Sequence, residues 1–232
     1  MKKLMRILFV ALMFVFPLCA NAGIIGDVSL YLQASAPAGY ATFPGNETII
    51  NVYLDYDVSL NGGALNEAFC VENADAHNYS TNQYTLLSID SGLSAFGLTA
   101  SKYQAAAAIA SYYWTNYEGT GTSGVEDGWK AAAQIAIWEV IFDDNFALGS
   151  GNFHTAAYTA SANSIWTAVH SDIPAISTQW ALAVSPTITG GTVSVAAPQN
   201  YLVRYTQVPE PASLLLFGLG LLGIAGIRRK MK

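Results

Sequence analysis

Beyond residue 22 the chain opens with alternating apolar and polar positions. Over residues 27–33 the apolar side chains Val28, Leu30 and Leu32 recur at every second position, which predicts a strand with one face turned inward. A longer run, residues 48–60, is rich in Ile, Val and Tyr and predicts another strand. Tyr53, Asp55 and Asp57 share one of its faces. Asn61-Gly62-Gly63 reads as a turn. Shorter strands are predicted at residues 67–72, centred on Phe69-Cys70-Val71, and at residues 84–89.

The period then changes. Residues 103–117, opened by Ser101, are Ala-rich and predict a helix, followed by a Gly/Thr loop over residues 118–124. A second helix is expected at residues 128–142 with Asp127 as its cap. Ala131, Ala132, Ile135, Ala136, Ile137, Trp138 and Ile141 lie almost all round it, so it should be buried. A third helix is expected within residues 155–169, and strands return around 192–196 and 201–206. Strands, a helical middle and closing strands predict an α+β class: a β sandwich or barrel with an inserted helical subdomain. No internal repeat is visible.

The two ends have a different character. Lys2, Lys3 and Arg6 precede an apolar run over residues 7–19 and the small triplet Ala20-Asn21-Ala22. This order reads as a secretory signal cut after Ala22, with a retained membrane anchor as the alternative. At the other end Val208-Pro209-Glu210-Pro211 is followed by an apolar run over residues 214–227 and by Arg228-Arg229-Lys230. An ordinary C-terminal anchor would also have an apolar segment with a basic end. With Pro-Glu-Pro before it, the tail closely resembles the PEP-CTERM sorting signal. The resemblance implies removal of the tail by an exosortase, a diderm bacterium, and a place on the cell envelope, the outer surface or the extracellular matrix. Such proteins commonly accompany exopolysaccharide production. The expected organisation is a signal peptide at 1–22, a working domain at 23–207 and a sorting tail at 208–232. Membrane contact is expected only through the C-terminal segment before processing.

Removing both ends leaves roughly 185 residues, enough for one domain with a sizeable core. Only three bases, Lys102, Lys130 and Arg204, then face fifteen acids, which argues against nucleic acid and anionic membrane surfaces. Acidic pairs such as Asp55/Asp57 and Asp143/Asp144 lack the spacing of a calcium loop and read as a solvated acidic face. Cys19 leaves with the signal, so Cys70 is the one cysteine of the mature region. With no internal disulfide partner it is buried and inert, paired between chains, or kept for chemistry.

Two strings bear on that choice. One is Phe69-Cys70-Val71-Glu72; the other is Ala133-Gln134-Ile135-Ala136-Ile137-Trp138 in the apolar helix. A buried Gln amide needs partners, which backbone from a neighbouring strand could supply. Together the strings resemble the thioester domains of Gram-positive surface adhesins, which combine a Cys between an aromatic or Leu and an apolar residue with a later Gln-x-x-apolar-Trp helix. The Ala-rich helix with Tyr112, Tyr113 and Trp114 is similar to theirs as well. The resemblance implies a Cys70–Gln134 thioester surrounded by Phe69, Val71, Ile137 and Trp138. It also implies single-turnover covalent capture of an amine-bearing target, hence adhesion and not enzymatic catalysis, with no cofactor and no metal. His77, in the polar loop 73–82, could assist proton transfer or simply be exposed. The alternatives are a cysteine hydrolase using His154 or His170 as base, and a structural exopolysaccharide-matrix protein with an inert buried Cys70.

Overall fold

The computed structural model describes residues 23–44, 46–72, 81–119, 123–185 and 199–205. Six antiparallel strands close into a barrel: β1 (Ile24–Phe43), β2 (Asn46–Leu60), β3 (Leu65–Cys70), β4 (Thr81–Ser88), β5 (Trp180–Val184) and β6 (Tyr201–Arg204). Their order around the barrel is β1-β2-β3-β6-β5-β4, so β1 closes it by pairing with both β2 and β4. Between β4 and β5 the chain forms a 3-10 turn (Ser91–Phe96) and three helices, α1 (Ala100–Asn116), α2 (Ser123–Phe142) and α3 (Thr159–Val169).

The alternation on β1 and β2 is realised: Val28, Leu30, Leu32, Leu54, Tyr56 and Val58 are buried inside the barrel. On β3, β5 and β6 the pattern is lost, because helices cover the outer face as well. Ala68, Phe69 and Cys70 are all buried, as is every residue of β5. One buried cluster runs from the barrel interior into the helical layer, so the helices share the barrel's core. The sequence pattern suggested a helical subdomain; what forms is a layer packed on one wall of the barrel.

Helix α2 is the pivot of this layer. All ten residues from Ala131 to Val140 are buried, as an apolar surface on every side requires. It begins at Ser123, so Asp127 lies inside the helix and does not cap it, contrary to the expectation from sequence. The acid of its first turn is Glu126, where the helix dipole favours negative charge. Trp138 packs edge-on against Phe43 at the end of β1 (4.9 Å between centroids), and Phe153 completes the corner.

The third helix starts four residues later than expected, at Thr159. Strand β5 was not foreseen, and the strand expected at 192–196 lies outside the described residues, as do the signal segment, His77 and the tail. Among the described residues no helix is long and apolar enough to cross a membrane; the apolar segment 214–227 is not among them.

Candidate functional site

Pairing between β2 and β3 runs from Ser59↔Leu65 to Tyr56↔Ala68 and stops there, while β3 continues against β6 through Cys70↔Tyr201. Val71 donates its N–H to the Asn200 carbonyl on the β6 side. The Cys70 N–H and C=O therefore point the other way, to the side that β2 has vacated. Gln134 fills the vacancy. Cys70 N–H donates to Gln134 Oε1 (2.8 Å), and Gln134 Nε2 donates to the Cys70 carbonyl (2.8 Å). The primary amide pairs with the strand as a neighbouring peptide group would, and both residues are fully buried.

The Cys70 side chain points into the barrel on the same face as Tyr201, its cross-strand partner. Tyr56 and Tyr84 lie within ring-contact distance of Tyr201. The thiol donates to the Glu72 carbonyl (3.1 Å). Burial pushes it up to about 12, a rise only partly offset by the Glu72 backbone and by the Trp138 indole beside it. Glu72 is held by Asn200, whose backbone N–H donates to Oε2 (3.1 Å) and whose side-chain amide donates to Oε1. Burial raises the Glu72 carboxyl to about 7 against the lowering effect of those bonds.

The structure thus brings Cys70, Gln134 and Trp138 together; Val71, just past β3, and Ile137 of α2 are buried as well. Phe69 is different. By the strand's pleat it lies on the opposite face from Cys70, against Tyr113 (5.8 Å) and Trp180 (5.6 Å), so it packs α1 onto the barrel and does not cover the sulfur. His154 sits exposed in a bridge with Thr42. The ring of exposed His170 lies 3.1 Å from the Trp166 and Thr167 carbonyls. Neither shares a hydrogen bond with Cys70. Glu72 belongs to the Phe69–Glu72 string but carries no role there by sequence alone, and nothing local marks Asn200 or the three tyrosines.

A second polar cluster lies one turn along α2. Asp55 and Asp57 do not form a solvated face as expected. With Glu67 of β3 they close on the Lys130 ammonium, Asp57 at 3.0 Å and Asp55 and Glu67 in direct contact. The three carboxylates converge as they would on a metal ion, and the cation between them is Lys130. Burial alone would lower the lysine, but Glu67, Asp55 and Asp57 hold it above its ordinary range. Glu67 is pushed up to about 8, chiefly by burial, against the pull of Lys130. Of the other acidic pair, Asp143 accepts the N–H groups of Asn152 and Phe153 (2.8 Å each), and Asp144 pairs with Lys102 (3.1 Å).

Comparison with known proteins bears on the C-terminus. Residues 207–230 match the PEP-CTERM protein-sorting motif. This chain is an exported protein and an exosortase substrate, sorted to the surface of a Gram-negative bacterium. The match takes in Pro209, Glu210 and Pro211, together with the apolar segment and its basic end. No curated protein and no solved structure matches the chain.

Proposed function

We propose that the exported protein is a covalent surface adhesin: Cys70 and Gln134 form an internal thioester that captures an amine-bearing partner. The observation that carries this reading is the clamp between the Gln134 amide and the Cys70 backbone. It holds the acyl carbon of Gln134 beside the residue bearing the nucleophile. Cys70 N–H already donates to Gln134 Oε1, the oxygen on which negative charge develops when sulfur adds to that carbon.

The steps follow from that geometry. The Cys70 thiol loses its proton and its sulfur adds to Gln134 Cδ. The C–N bond breaks, and the amide nitrogen leaves as ammonia with the thiol proton. A partner amine then adds to the same carbon, and the C–S bond breaks. An isopeptide to Gln134 remains and the thiol is restored. Trp138 beside the fully buried sulfur keeps out the water that would hydrolyse the thioester. The turnover is single, so the role is binding and not catalysis.

One observation favours the rival, a structural matrix protein with an inert cysteine. The thiol is fully buried, raised to about 12, and hydrogen-bonded to the Glu72 carbonyl. On that reading Gln134 serves only to complete the edge of β3. Peptide mass analysis of the exported protein, with and without methylamine, separates the two. The thioester predicts that the segments bearing Cys70 and Gln134 together lack one ammonia. Methylamine should open the bond and leave methylamide on Gln134, and Cys70→Ala should show neither effect. Unmodified masses, with Cys70 alkylated once fresh neutral protein is denatured, would leave the matrix role.

A further inference from the structure

Lys130 is one of three bases in residues 23–207, yet it is 3% exposed and stands one helical turn before Gln134 on the face of α2 that meets the barrel. Around its ammonium are carboxylates from two adjacent strands, Asp55 and Asp57 of β2 and Glu67 of β3. Asp57 and Glu67 are direct cross-strand partners, a like-charge pairing that is unfavourable by itself. Glu118, bonded to the Tyr113 hydroxyl (3.0 Å), adds a further acid beside Glu67. One buried cation cannot neutralise this many anions, so the cluster retains a proton. Glu67 holds it, since burial and the neighbouring charges of Asp57 and Glu118 raise its carboxyl.

A neutral carboxyl in fixed contact with an amine, with carboxylates at hand to take the amine's protons, is the reactant pair of amide condensation. Permanent contact replaces a bimolecular encounter, and enclosure of Lys130 keeps water away from the product. We propose that Lys130 and Glu67 condense to an intramolecular isopeptide bond. Asp55 and Asp57 accept the protons that the ammonium gives up. The amine nitrogen then adds to Glu67 Cδ, and the carboxyl hydroxyl takes one proton back and leaves as water. Ammonium, carboxylic acid and one aspartate thus become amide, water and one aspartic acid, with charge conserved. Asp57, the most exposed of the three carboxylates at 29% of its side chain, returns the remaining proton to solvent. The bond would join α2 to β3, the two elements already bridged by Gln134 and Cys70, and would tie the helix to the barrel wall whether or not the thioester forms.

The sparse bases make the test direct. Denatured exported protein is treated with methylamine to open any thioester, then digested with trypsin. Between residues 23 and 207 trypsin can cut only after Lys102, Lys130 and Arg204. The isopeptide predicts no cut after Lys130, and segments 23–102 and 103–204 recovered as one linked species lighter than their sum by one water. Fragmentation should place the link at Glu67, and Glu67→Ala should restore the cut. Cleavage after Lys130 in the wild type with unmodified masses would overturn the proposal, and a link at Asp55 or Asp57 would overturn the assignment to Glu67. Because a thioester lacks ammonia and yields to methylamine, its presence or absence is read separately.

Discussion

At the scale of single residues, Gln134 acts as a surrogate strand. A buried strand edge with nothing beside it would leave one N–H and one C=O unsatisfied, and the Gln134 amide supplies a donor and an acceptor at the right spacing. Gln134→Ala removes both partners at once. We expect it to cost about 2–4 kcal/mol, since each buried group loses its bond and keeps its desolvation penalty. Urea unfolding in a Cys70→Ala background, where no thioester can contribute, measures it. A loss within experimental scatter would mean that water replaces the amide. The Gln–Cys pairing was half legible in the sequence: an amide in an apolar helix must find a partner, and two strings suggested which. The direction of Phe69 was not, because a strand covered on both faces gives no polar position to mark inside from outside.

At the scale of elements, α2 was legible as a buried helix because apolar residues surround it. Its start was not, because residues before 128 lack that pattern, although the helix reaches back to Ser123. Strand β5 escaped notice for the opposite reason. Trp180–Val184 is a short continuous apolar run, buried on both faces, and has no period to read. What anchors α2 at its C-terminal half is the aromatic corner of Phe43, Trp138 and Phe153. Phe43 is 2% exposed and joins the end of β1 to the helix. Phe43→Ala should therefore destabilise the protein by about 3–5 kcal/mol, the range for emptying a large aromatic site. Denaturant unfolding checks this, and a cost below about 1 kcal/mol would show that the corner collapses to fill the gap.

At the scale of the whole molecule, the mature region is acidic, yet several of its carboxyls lie where burial holds their protons. Glu72 and Glu139 are each raised to about 7, from 4.5, by burial first of all. A raised carboxyl binds its proton more tightly folded than unfolded. Its contribution is therefore complete below 4.5 and is lost as pH rises through about 7. Denaturant midpoints should fall across that window, and Glu72→Gln with Glu139→Gln should flatten the fall. A midpoint that rises with pH over the same window would contradict the burial argument. The same whole-molecule view separates address from activity. The tail sets where the protein goes and is read by its linear order, and the barrel and its helical layer carry whatever the protein does on arrival.

The sequence by itself determined the address, the acidic balance and the strand–helix–strand order. These are carried by local order, composition and period, which need no partner to be read. Only the tertiary structure decided that the sheet closes into a barrel, that the helices share its core, and that the amide of Gln134 meets the backbone of Cys70. It also decided that Asp55, Asp57 and Glu67 enclose Lys130. Residues separated by 63 to 75 positions come together there, and that meeting depends on strand register and helix docking, which no local pattern in the chain encodes.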